Sequence, residues 1–119
     1  GAVVSLLRLR GGADEAVVSS FDWQKLKQLR QEDALLPIAV LLDDGERAGA
    51  ALAMATELGA VSLNPSLDIL TDELVVRAHQ QGLKVSVFTV RDPADVEKVL
   101  RCEADACFAD DPQMVFEML

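Results

Sequence analysis

Lys84-Val85-Ser86-Val87-Phe88-Thr89-Val90 runs without a break into Arg91-Asp92-Pro93. The first seven residues are rich in β-branched and aromatic side chains, the composition of a strand. Asp92 before Pro93 is a helix-start signal, because proline fits the first helical position and aspartate caps the free N–H groups ahead of it. Upstream, Thr71 can cap a helix from Asp72 to Gln81, with Asp72 and Glu73 at the positive end of its dipole. Leu74, Val75 and Ala78 form one apolar face of that helix, and Gly82 ends it. A helix, a glycine stop, a strand and an Asp-Pro start together define one strand–helix period.

The same period recurs in both directions. Strands are predicted at Ala16–Ser20, Ile38–Leu42, Ala60–Leu63, Lys84–Val90 and Ala104–Ala109. Their starts lie roughly 20 to 24 residues apart, the length of a strand, a helix and two loops. The runs are continuously apolar, as parallel strands covered on both faces should be. Between them, Asp22 can cap a helix carrying Trp23, Leu26 and Leu29. Arg47 to Leu58 sets Ala48, Ala51, Leu52 and Ala55 on one face and stops at Gly59. Asp111-Pro112 opens a last helix with Val115, Phe116 and Leu119. Ala2 to Leu9 reads as the end of an earlier helix closed by Gly11-Gly12, so the chain is expected to start inside a unit.

The fold class is therefore α/β, built of parallel βα repeats across residues 1–119. Two architectures fit: a doubly wound flavodoxin-like sheet, or the last five units of a (β/α)8 barrel, which in full needs about 200 residues or more. Both place function in the loops after the strand C-termini.

Composition narrows the chemistry. The chain has 119 residues, with 20 acidic against 11 basic and a formal charge of −9. This disfavours nucleic acid, whose phosphates are held by clustered Lys and Arg. No run approaches the ~18 apolar residues of a membrane span. Two cysteines, Cys102 and Cys107, make neither a disulfide framework nor a four-ligand zinc site. With no signal-peptide pattern, the cytoplasm is the expected location.

On the expected functional edge, Asp22, Asp44, Asp92 and Asp111 stand at helix starts and are read as caps. Asp43 and Asp110 lie one step earlier, and a cap or a site role stays open for them. The one histidine, His79, sits near a helix C-terminus at the opposite edge, away from where such folds do chemistry. A phosphorylation-receiver domain fits poorly, because its acidic pair would follow the first strand, not the second.

Read in order, the loops give Val17-Val18-Ser19-Ser20-Phe21-Asp22, then Ala60-Val61-Ser62-Leu63-Asn64-Pro65, then Ala78-His79-Gln80-Gln81-Gly82-Leu83-Lys84-Val85. Val87-Phe88-Thr89-Val90 and Ala104-Asp105-Ala106-Cys107-Phe108-Ala109-Asp110-Asp111-Pro112 complete the series. From about Leu6 to Leu119 this succession resembles the C-terminal part of the glycerophosphodiester phosphodiesterase family, which has a TIM-barrel fold.

The resemblance implies that the strands here correspond to the family's fourth to eighth. It also implies hydrolysis of glycerophosphodiesters to an alcohol and glycerol 3-phosphate with a divalent metal, Ca²⁺ or Mg²⁺. The family's His-Arg pair, acidic metal ligands, second His and Lys belong to the first three strands, so no catalytic residue and no metal ligand is assigned in this chain. What carries over is a substrate-side wall. Phe21 matches the family's Ser-Phe motif, Asn64 its Asn-Pro motif, and Phe88 the place usually held by Trp. Arg91 stands where Asn is common and is a candidate phosphate contact, since a guanidinium can grip phosphate with two N–H groups. Glu103 replaces a usual Gly and Ala109 a Thr. The chain alone is expected to be inactive and to associate through open strand edges, with itself or with a missing N-terminal segment. The alternative is a non-catalytic, self-associating or ligand-binding flavodoxin-like module.

Overall fold

The computed structural model describes residues 4–8 and 16–118. Its elements are β1 (Val4–Arg8), β2 (Ala16–Ser20), α1 (Trp23–Glu32), β3 (Ile38–Leu42), α2 (Ala48–Leu58), β4 (Ser62–Pro65), α3 (Asp72–Gln80), β5 (Lys84–Val90), α4 (Pro93–Arg101), β6 (Ala106–Ala109) and α5 (Pro112–Met118). Short 3₁₀ turns at Gly45–Arg47 and Leu67–Ile69 precede α2 and α3.

The strands lie in sequence order, β1-β2-β3-β4-β5-β6. From β2 to β6 every pairing is parallel. A flavodoxin-like sheet reverses its order partway, typically 2-1-3-4-5, so that helices cover both faces. Here the order never reverses. The strand residues Ile38, Val40, Leu42, Leu63, Val85, Val87 and Val90 join Leu26, Leu52, Val75 and Val96 from four successive helices in one buried cluster. All four helices thus pack on a single face, which is the barrel arrangement. The doubly wound alternative falls. Each fully buried Leu or Val in that cluster contributes about 1.5–3 kcal/mol.

The opposite face follows from register. Ser19 pairs with Ala39, Ala39 with Ser62 and Leu41 with Asn64. Side chains alternate along a strand, so these residues share the face turned away from the helices. That face is concave. Phe21, just past β2, and Phe88, in β5, are three strand spacings apart, about 14 Å along a flat sheet. Their ring centroids nevertheless lie 5.7 Å apart. A curled sheet helps bring them together.

Two expectations need correction at their edges. The strands predicted from Ala60 and Ala104 start at Ser62 and Ala106. In both cases the preceding helix keeps the residue: the Ala60 N–H bonds back to the Ala55 carbonyl at 2.9 Å, and that of Ala104 to Val99 at 3.3 Å. These wraps need a left-handed residue just before, and Gly59 and Glu103 both have φ of 61°.

A third expectation is overturned. Within the predicted helix end Ala2–Leu9, Val4–Arg8 is a strand, paired antiparallel with β2 from Val4 opposite Ser20 to Arg8 opposite Ala16. A short apolar run suits helix or strand equally, and the free edge of β2 supplies backbone partners that a helix would leave unused. Ala2, Leu9 and Gly11-Gly12 lie outside the described residues, as does Leu119. α5 is shorter than the other helices, and Phe116 is exposed on it.

Candidate functional site

The C-terminal ends of β2 to β5 and the loops after them carry all four candidates, three of them on the concave face. The Phe21 and Phe88 rings meet edge to face, at 81° between their planes. Both are half-buried. Such a pair is worth about 0.5–1.5 kcal/mol beyond its burial. It spans the width of β3 and β4, the strands that carry Leu41 and Asn64.

Asn64 is fully buried on this concave face. Its Oδ1 accepts a hydrogen bond from Ser62 Oγ at 2.8 Å. Its Nδ2 has no hydrogen-bond partner among the described residues. An amide donor buried without a partner costs about 1–3 kcal/mol.

Arg91 lies at the rim. With Phe88, Thr89, Ser66, Leu67, Asp68, Asp92 and Asp95 it lines a cleft of about 420 Å³. Its side chain is 76% exposed, with Nε 3.8 Å from Asp110 Oδ2. Its backbone N–H donates to Asp95 Oδ2 at 2.9 Å. The structure therefore surrounds Arg91 with carboxylates, from Asp68 on the loop after β4 to Asp110 after β6. No spacing along the chain announces that company.

The capping aspartates behave as expected. Asp22 accepts from the Lys25 N–H, Asp44 from Glu46, Asp92 from Asp95, and Asp111 from Gln113 and Met114. Asp43 is exposed at the end of β3. A feature the sequence reading missed joins the first two loops: the Arg47 guanidinium stacks 4.0 Å over the Trp23 ring, while Trp23 Nε1–H donates to the Leu41 carbonyl at 3.1 Å. Ser62 was also missed as a site residue. Its position two residues before Asn64, on the same strand face, was the available signal.

His79 sits at the other end of the sheet, 2.7 Å from Asp105 Oδ2, which also accepts the Val85 N–H at 2.7 Å. Burial pushes the Asp105 carboxyl up, but the hydrogen bonds from His79 and Val85 outweigh it and hold it below its ordinary value. This cluster ties α3, β5 and β6 together; it is remote from the concave rim. Burial pushes both thiols up, Cys102 further aided by Asp72 beside it, so neither is poised as a thiolate.

The metal that the family resemblance implies finds no seat among these residues. Among the described residues, no three His, Cys, Asp or Glu cluster closely enough to hold an ion. The described helices also include none long and apolar enough to cross a membrane. Chemically, the arrangement offers an apolar aromatic wall, one unpaired amide donor and an exposed guanidinium. Groups of these kinds can bind and orient a ligand; none of the three is an acid–base pair.

Known proteins share this fold. A glycerophosphodiester phosphodiesterase from Caldanaerobacter subterraneus subsp. tengcongensis is 26% identical over 106 residues, covering 89% of this chain and 43% of its own. A provisionally assigned glycerophosphoryl diester phosphodiesterase from Silicibacter pomeroyi superposes with a TM-score of 0.73 at 27% identity, over 86% of this chain and 38% of that one. A phosphodiesterase from Oleispira antarctica, solved in complex with the product sn-glycerol-3-phosphate, gives 0.75 at 21% identity, over 85% and 40%. The chain thus spans about two fifths of the length of these relatives. The fold is that of a partial TIM barrel. The model of the glycerophosphoryl diester phosphodiesterase family matches residues 2–114, nearly the whole sequence, and the chain belongs to that family.

Proposed function

We propose that this chain forms the substrate-side wall of a metal-dependent glycerophosphodiester phosphodiesterase, which hydrolyses glycerophosphodiesters to an alcohol and glycerol 3-phosphate. The observation that carries this reading is the convergence of Phe21, Phe88 and Asn64 on the concave face at the strand C-termini. That edge is where barrels of this kind build their sites. The bound sn-glycerol-3-phosphate of the Oleispira neighbour supports the ligand class.

In this role the phenyl pair supplies an apolar surface for the glycerol carbons, and the Asn64 Nδ2 a donor for a ligand oxygen. Arg91 reaches phosphate by leaving Asp110. An exposed pair of this kind is worth only about 0–1 kcal/mol, so the exchange costs little.

Hydrolysis further needs a cation to neutralise developing charge and an acid–base pair for the leaving alcohol. His79 stands at the far edge and serves neither purpose. The Ca²⁺ or Mg²⁺ of the family would be held by residues outside this chain. The chain alone is then inactive, cytoplasmic, and suited to pair through β6, since β1 already occupies the free edge of β2.

The test joins the N-terminal half of the Caldanaerobacter relative to this chain and measures glycerol 3-phosphate release from glycerophosphocholine. Metal-dependent release is expected, reduced about threefold to tenfold by Phe21→Ala or Phe88→Ala, the loss of one aromatic contact. A folded fusion with no release, or with release indifferent to both substitutions, would contradict the reading.

A further inference from the structure

A primary amide presents a donor at one end and an acceptor at the other, and rotation by half a turn exchanges them. In β4 the choice is made locally. Ser62 and Asn64 are two residues apart and share the concave face. Ser62 Oγ donates to Asn64 Oδ1 at 2.8 Å, which occupies the acceptor and leaves the NH₂ as the open end. Ser62 is 7% exposed and Asn64 0%, so solvent holds neither in place. The Asn64 Nδ2 has no partner among the described residues.

The strand does not need this arrangement, because its ladder is made by backbone groups. An apolar pair at 62 and 64 would avoid the cost of an unpaired donor altogether. A buried polar group without a partner in an otherwise well-satisfied core calls for something that completes it.

We propose that Ser62 is a positioning residue: its hydroxyl locks the Asn64 carboxamide so that Nδ2 presents a donor to a ligand oxygen on the concave face. Phosphoryl oxygens of a diester only accept, so a fixed donor suits them and a flipped amide would repel them. This rests on the functional reading above and extends it to a residue that makes no ligand contact itself.

The experiment follows the side-chain amide resonances of the 119-residue chain by ¹H–¹⁵N NMR, with sn-glycerol 3-phosphate as probe. In the wild type, the Asn64 Nδ2 resonances are expected to move on titration. Ser62→Ala should weaken the apparent affinity about threefold to tenfold, the worth of one neutral hydrogen bond, and Ser62→Thr should restore it. In an Asn64→Ala background, adding Ser62→Ala should change nothing further. Equal losses in both backgrounds, or a Ser62→Ala variant that titrates like the wild type, would overturn the proposal. If no resonance of the concave face responds to the probe, the functional reading fails, and the free protein still decides the role of Ser62. There the Asn64 amide resonances should shift in Ser62→Ala toward those of an unstructured asparagine; unchanged positions would overturn it.

Discussion

The two ends of the sheet handle polar side chains in opposite ways. At the N-terminal end, the partly exposed Asp105 is paired: one carboxylate oxygen takes both His79 and the Val85 N–H, each at 2.7 Å. At the C-terminal end, Asn64 is fully buried, yet its donor has no partner among the described residues. The first arrangement serves the fold, holding α3 against the starts of β5 and β6. The second costs the fold something, and sites that bind are where such costs are tolerated. Asp105 acts as a fastener; on the proposed reading, the Asn64 donor is held ready for a ligand.

Breaking the fastener should give the largest effect. Asp105→Ala removes the acceptor of the Val85 N–H and the partner of His79, and should cost about 1–3 kcal/mol, read as a lower urea midpoint with unchanged slope. The same group sets a pH signature. Its carboxyl is held below the unfolded value, about 3.9. Its contribution is therefore complete above that pH and lost as pH falls through the lower, folded value. Asp105→Asn should remove this part of the acid dependence.

The contrast sharpens with Asn64→Leu. Although Asn64 is the more buried residue, its replacement should leave stability within about 1 kcal/mol, since the unpaired donor that disappears offsets the Ser62 hydroxyl that loses its acceptor. If the thermal midpoint instead falls as far as that of Asp105→Ala, Asn64 is a fastener after all and the comparison fails.

The smallest effect concerns a junction. Gly59 and Gly82 turn α2 and α3 into the next strand with positive φ, and Glu103 does the same after α4 at 61°. A side chain in that region is strained, so Glu103→Gly should stabilise by about 0.5–1 kcal/mol, measured by thermal unfolding. Ala at Gly82, at φ 78°, should do the reverse.

Much of this was legible beforehand because it is local. Ile38–Leu42 and Lys84–Val90 are strands with the predicted bounds, and Asp22, Asp92 and Thr71 cap as their residue types dictate. What escaped depends on neighbours distant in sequence. Period alone fits an open sheet and a barrel equally, and only the unreversed strand order decides. Val4–Arg8 became a strand because the edge of β2 lies beside it. The acidic company of Arg91 arrives from separate loops. The orientation of the Asn64 amide depends on a hydroxyl two residues away, which a residue-by-residue reading treats as ordinary strand serine.

The central claim is that this chain carries the wall of the site and not its chemistry. The most direct measurement is glycerol 3-phosphate release from glycerophosphocholine by the purified 119-residue chain, with Ca²⁺ or Mg²⁺ supplied. No release above the uncatalysed rate is expected. Metal-dependent release that persists in the chain alone would contradict the account.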